Sequence, residues 1–200
     1  MRRLLGVFVL SAITRVAPLD GQEQRATAAG STLIAGSATF SRTSRGDGDV
    51  LATWALAPAV QYFFWNKVAL GSELAFTRSS QGDYASTSWA VGPGARWYLA
   101  SVGAWTQPYI GATYQRGRAA LDVVSGNSPG GRQRRHFTNS SVTAVAGVAR
   151  LLNAHVALAA EGFWNATDVP LFSNDGVSSE TATVLGLRFG IQTFVGPGRR

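Results

Sequence analysis

The chain has 200 residues, no cysteine, two histidines and a net charge of +7. That length suits one domain, and the missing cysteines exclude a disulfide framework, a thiolate metal site and a cysteine nucleophile. Only 14% of residues are charged while 23 are glycine, which argues against a helical enzyme and for a β-rich chain; the positive charge is almost all arginine, Lys67 being the only lysine, and it suits an anionic partner such as nucleic acid, phospholipid or lipopolysaccharide.

Taken in chain order, the first segment is MRRLLGVFVLSAITRVAPLDG, residues 1–21. Arg2 and Arg3 precede a short apolar run, Leu4 to Thr14, and Gly21 is a small residue suited to cleavage. This is the order of regions in a secretory signal peptide; the alternative is a buried N-terminal helix. No other run reaches the ~18 apolar residues of a transmembrane helix.

Eight apolar stretches follow: Ser31–Thr43, Val50–Phe64, Val68–Arg78, Ser86–Leu99, Gln107–Arg118, Asn139–Leu151, His155–Thr167 and Thr181–Phe194. The breaks between them alternate. Asn66-Lys67, Ala100–Thr106 and Asn153-Ala154 are short; Ser44–Asp49, Ser79–Ala85, Ala119–Phe137 and Asp168–Glu180 are longer and polar. Short turns on one rim and long loops on the other predict an all-β, eight-stranded antiparallel up-and-down transmembrane barrel. Asn66 is the expected positive-φ residue of its turn.

Period-two alternation assigns the faces. Trp54, Leu56, Pro58, Val60 and Tyr62 share one side of the second stretch, and Thr53, Ala55, Ala57, Ala59 and Gln61 the other. The fourth and eighth stretches behave likewise, the latter setting Leu185, Leu187, Phe189 and Ile191 against Gly186, Arg188, Gly190 and Gln192. The large apolar set faces lipid, and the small set faces a lumen with room only for side chains. A soluble barrel would invert this pattern. The first and sixth stretches alternate too weakly to assign. Aromatics gather at both rims, as interfacial girdles do. Tyr62, Trp65, Trp97, Tyr98, Trp105 and Tyr109 lie by the short turns, and Trp54, Phe76, Trp89, Tyr114 and Trp164 lie toward the long loops.

The segments VALGSELAFTRSS, GPGARWYL, QPYIGATYQ, VAGVARLLNAHVALAAEGFW and VLGLRFGIQTF together resemble the small OmpA/OmpX-type outer-membrane barrel family over residues 31–194. The resemblance implies a bacterial outer-membrane location, periplasmic termini, and membrane lipid and the barrel-assembly machinery as partners. Barrels of this type commonly end on an aromatic that the machinery reads. Here Phe194 is followed by VGPGRR, a short extension over 195–200, and is out of phase with Leu185, Leu187 and Phe189; Phe189 or Phe194 is left to serve.

No catalytic motif is present: no G-x-S-x-G, H-E-x-x-H or phosphate loop. No metal or other cofactor is expected. Some outer-membrane barrels are lipid hydrolases with a Ser–His pair, but His155 at the short-turn rim and His136 in a loop lack evident serine and acid partners. SGNSPGG (Ser125–Gly131) lies in a long loop with no helix after it, which suits flexibility. Arg132, Arg134 and Arg135, in GGRQRRHF, sit in the longest loop. They are candidates for phosphates of lipopolysaccharide or another surface polyanion; the alternative is a solvated loop. Nucleic acid is not expected, because only Phe137 could stack.

Four ionisable residues fall on the lumen face within the span: Glu73, Arg96, Glu161 and Arg188. Two acids and two bases cancel. Glu161 and Arg188 are on adjoining strands about two residues from opposition, within reach of a pair; Arg96 lies nearer the short-turn rim than Glu73, and cross-lumen pairs are open as well. Ala69, Gly71, Ala75, Gly92, Gly94, Gly186 and Gly190 leave room for them. The sequence therefore points to a barrel with a structural or surface-contact role and an ionically closed lumen. A small passive channel is the alternative, and a lipid-modifying enzyme comes behind both.

Overall fold

The computed structural model describes residues 26–44, 50–81, 84–102, 104–124, 132–173 and 176–196. The signal-peptide segment, the SGNSPGG stretch and residues 197–200 of the C-terminal extension lie outside them. Eight strands form one closed antiparallel barrel. They are β1 (Thr32–Ser44), β2 (Val50–Trp65), β3 (Val68–Gln81), β4 (Tyr84–Tyr98), β5 (Thr106–Val124), β6 (Arg132–Leu151), β7 (Val156–Ser173) and β8 (Gly176–Val195). Each pairs with the next, and β8 returns to β1, so the sheet has no free edge in its closed part.

The wall is apolar outside. Ile34, Leu56, Val60, Leu70, Leu74, Val91, Ile110, Val142, Val148, Leu158, Leu187, Phe189 and Ile191 are all exposed. A girdle so broad on every strand would not stay dissolved; it fits hydrocarbon. The two strands left unassigned by pattern resolve here. β1 turns Leu33 and Ala35 inward and Ile34 and Phe40 outward; β6 turns Ser141, Thr143 and Val145 inward and Val142 and Val148 outward.

Prolines sit where the ladder can spare an N–H. Pro58 opposes Gly36 of β1, and the β2–β3 ladder is interrupted beside it between Leu56↔Phe76 and Ala59↔Glu73. Pro93 opposes Ser72, and the β4–β5 ladder breaks between Val91↔Arg116 and Gly94↔Thr113. The β2–β3 turn departs from expectation: Lys67, not Asn66, takes positive φ, at 71°. Asn66 is occupied elsewhere, its Oδ1 accepting the Ala29 N–H at 2.9 Å. At the β6–β7 turn Asn153 Oδ1 accepts the N–H groups of His155 and Val156, both at 2.8 Å, an Asx turn longer than the expected two residues.

The largest difference is on the long-loop side. β5 and β6 pair as far as Val124↔Arg132, and β7 and β8 as far as Ser173↔Gly176. Most of the two segments read as loops, Ala119–Phe137 and Asp168–Glu180, is therefore strand. A hairpin that projects beyond the apolar wall has no lipid-facing side, so the alternation that marks a strand fades while its hydrogen-bond ladder continues. Val195, read as the first extension residue, is the last residue of β8.

Candidate functional site in the lumen

The short-turn end of the lumen is filled rather than lined with small residues. Leu33, Phe63, Tyr98, Tyr109, Leu151 and Phe194 are fully buried there. Phe63, Tyr98 and Phe194 meet with ring centroids 5.6 to 6.3 Å apart, and Tyr98 and Tyr109 lie at 5.1 Å. Tyr98 and Tyr109 therefore belong to the interior, not to the outer girdle. Proximity to a turn suggested the girdle, but strand phase places Tyr98 with Arg96, and Tyr109 with Gly111 and Thr113. Phe194 likewise points inward, leaving Val195 as the last outward residue of β8.

Residues 26–31 close this end. Phe63 N–H donates to Ser31 O (2.9 Å), Gly30 N–H to Phe63 O (2.8 Å) and Lys67 N–H to Thr27 O (2.8 Å), with Ala26, Thr27 and Ser31 buried. Above the aromatics lies an amide layer. Tyr98 Oη donates to Gln192 Oε1 at 3.0 Å, and Gln192 Nε2 donates to Tyr109 Oη at 3.1 Å.

The four charged residues come next, each buried to within a tenth of its surface. Glu73 is on β3, Arg96 on β4, Glu161 on β7 and Arg188 on β8. Glu161 and Arg188 are directly opposed in register, and Arg188 Nη2 donates to Glu161 Oε2 at 3.1 Å. Arg96 Nη2 lies 3.7 Å from Glu161 and 3.9 Å from Glu73; Arg188 Nη1 lies 3.6 Å from Glu73. The result is a closed ring in which each charge has an opposite charge on both sides. Arg96 also stacks over the Tyr109 ring at 5.4 Å, and Arg188 over Phe163 at 5.8 Å.

The strand neighbours of these residues are mostly small, which lets long side chains cross the lumen. Glu73 sits between Ala59 and Gly92, and Arg96 between Ala69 and Gly111. A Cβ at Gly111 would lie 3.1 Å from Arg96 Cγ, one at Gly186 2.7 Å from the Phe163 ring, and one at Gly147 2.9 Å from Tyr109. Gly111 and Gly147 do not stand out by alternation, because any lumen-facing glycine reads alike without its partner strand. A Cβ at Gly71 or Gly92 would strike the backbone carbonyls of Val60 and Tyr114, and at Gly111 and Gly147 the carbonyls of Ala95 and Ala160 stand at 2.7 and 2.8 Å, so all four also permit close strand approach.

Above the ring a polar cavity of about 180 Å³ opens, lined by residues including Thr77, Gln115, Asn139, Thr143, Asn165 and Arg188. Asn165 Nδ2 donates to Thr143 Oγ1 at 2.8 Å, and Gln115 Nε2 to Glu73 Oε1 at 3.4 Å.

The remaining candidates are scattered. Arg132, Arg134 and Arg135 are on β6, opposite Val124, Asp122 and Leu121, in a strand and not a loop. Adjacent strand positions cannot share a face. Arg135 is exposed, and the side chains at 132 and 134 lie outside the described residues. His136 is exposed on β6, also not in a loop. His155 is in the turn before β7, its Nδ1 3.0 Å from Phe194 O.

The sequence matches no protein-family model and no curated protein. Solved structures do match. Neisserial surface protein A is 18% identical with a TM-score of 0.53, over 82% of this chain and 97% of its own. The outer membrane protein OprG of Pseudomonas aeruginosa is 12% identical, also at 0.53, over 86% and 99%. This chain has the fold of a small bacterial outer-membrane β-barrel. In barrels of this fold an exposed apolar wall faces lipid, short turns form the periplasmic rim and extended hairpins stand outside the cell.

Proposed function

We propose that this outer-membrane barrel is a closed, non-catalytic scaffold that holds its extracellular hairpins at the cell surface for contact. The observation that carries the reading is the four-charge ring stacked on an aromatic plug. An unpaired carboxylate or guanidinium at this depth would cost several kcal/mol. Here the two acids and two bases balance and each lies within 4 Å of an opposite charge, with Arg96 Nη1 and Arg188 Nε left without hydrogen-bond partners. A passive channel needs a continuous water column; the polar cavity ends on Glu73 and Arg188, and Phe63, Tyr98 and Phe194 fill the path beyond them. The hairpin arginines 132, 134 and 135 are the part of the contact surface suited to anionic glycolipid.

The test is planar-bilayer recording of the refolded protein. Negligible conductance is the expected result. Stable unitary steps from the native protein would replace the scaffold with a pore.

A further inference from the structure

A second set of arginines lies on the outer wall, away from the hairpin tips. Arg42 on β1, Arg78 on β3, and Arg116 and Arg118 on β5 are all exposed. Their phase is that of the lipid-facing residues, each following an apolar outward residue along its strand: Phe40 before Arg42, Phe76 before Arg78, Tyr114 before Arg116 and Arg118. The register ties them to the upper aromatic girdle. Arg78 opposes Trp54, Arg118 opposes Trp89, and Arg116 opposes Val91. Trp54 in turn opposes Phe40 and meets Phe76 with ring centroids 5.2 Å apart. Among the described residues none of the four has an ion-pair partner.

The far side of the barrel is different in kind. At the equivalent height β6, β7 and β8 present Thr138, Ser140, Asp168 and Thr181 outward. Asp168 accepts hydrogen bonds from Ser140 Oγ (2.8 Å) and Thr181 Oγ1 (3.2 Å). The wall is thus basic over β1–β5 and neutral to acidic over β6–β8.

We propose that the outer wall over β3–β5, with Trp54 of β2 at its edge, is a lateral binding face for a phosphorylated glycolipid of the outer leaflet; Arg42, on the strand opposite β5 in the ring, lies outside it. The inference rests on the membrane orientation above. An outward arginine just beyond the aromatic girdle sits at headgroup depth, where the anions within reach are lipid phosphates. Guanidinium groups grip phosphate bidentately, and Trp54 and Trp89 supply the apolar surface on which the acyl chains lie. Arg78, Arg116 and Arg118, spread over β3 and β5, exceed what one phospholipid phosphate can engage. A headgroup with phosphates on both ends of a sugar unit bridges them, and each added contact is intramolecular.

The experiment is native mass spectrometry of the barrel extracted in mild detergent and offered bisphosphorylated lipid A, dephosphorylated lipid A or phosphatidylglycerol. The wild type should retain bisphosphorylated lipid A preferentially. Arg78→Gln with Arg118→Gln should cut that retention about tenfold or more, as expected for two lost charge-assisted contacts. Arg150→Gln, at the opposite rim, should not change it. Equal retention by the double variant, or of the dephosphorylated lipid, would overturn the proposal; equal retention of phosphatidylglycerol would overturn the choice of glycolipid. Each protein is checked for heat-modifiable gel migration, and the two single variants carry the test should the double fail to shift. A wild type that itself shows no shift would instead remove the membrane orientation.

Discussion

Glu161 holds the shortest ion-pair contacts of the lumen ring, 3.1 and 3.7 Å, against 3.6 and 3.9 Å for Glu73. Removing either acid leaves two guanidinium groups sharing one carboxylate, with a net positive charge in a space closed to bulk water at the aromatic plug. Glu161→Ala should therefore destabilise the barrel by ~3–5 kcal/mol, and Glu73→Ala by less, because the cavity above gives its partner Arg188 access to water. Urea unfolding in lipid vesicles measures both, and a larger loss for Glu73→Ala would contradict this order. A double-mutant cycle on Glu161 and Arg188 should give a coupling of about 1–3 kcal/mol, above that of Glu73 and Arg96. The glycines divide in the same assay. Gly186→Ala pushes a methyl into the Phe163 ring and should cost about 1–3 kcal/mol. Gly36→Ala meets nothing within 4 Å and should fall within ~0.5 kcal/mol of wild type.

Among the elements, the seam between first and last strands is the shortest. The β1–β8 ladder runs only from Thr32↔Val195 to Ala38↔Phe189, while β5 and β6 pair from Thr106↔Arg150 to Val124↔Arg132. Local opening follows the hydrogen bonds and packing that must be broken together. Amides of Ala35 and Gln192 should exchange faster than those of Tyr109 and Gly147 in micelles; equal protection would show that the seam is not the weak join. The extracellular parts of β5 and β6 stand beyond the apolar wall. Replacing residues 121–135 with a short turn should leave heat-modifiable migration intact, since the register below Ala120↔His136 is untouched. Loss of the shift would mean that the projecting hairpin is needed for folding.

For the whole molecule, the refolded protein should run faster unboiled than boiled on a gel, because the closed barrel resists detergent. The strands are legible in sequence wherever one face meets lipid and the other the lumen, as at Trp54–Tyr62 and Leu185–Ile191. They are illegible at 119–137, where no lipid-facing side imposes alternation and the pattern of apolar residues no longer records the ladder. The lumen charges are legible through phase alone, as Glu73 and Arg188 show. The plug is not: Tyr98 and Tyr109 read as rim aromatics and Phe194 as a terminal one, until β2, β4, β5 and β8 bring them together with Phe63. Nor does the outer arginine band stand out in sequence, since Arg78 lies far from Arg116 and Arg118 in the chain and joins their side of the barrel only through the register.

The ring has a consequence for how the protein enters its membrane. Glu73 and Arg96 belong to one hairpin, β3–β4, and Glu161 and Arg188 to another, β7–β8. Each hairpin contributes one acid and one base to the lumen, so its lumen-facing charges cancel before the barrel exists. A lone charge drawn across hydrocarbon is costly, whereas a neutral pair on one hairpin travels with its counter-ion. The contacts of Arg96 with Glu161 and of Arg188 with Glu73 span the two hairpins. They form only when the halves of the sheet meet, and they act as a latch on closure. Exchanging Glu73 with Arg188 keeps both acids and both bases but leaves one hairpin carrying two positive charges and the other two negative. That swap should slow insertion into vesicles more than it lowers final stability, and an unchanged insertion rate would show that pairing within each hairpin plays no part in crossing.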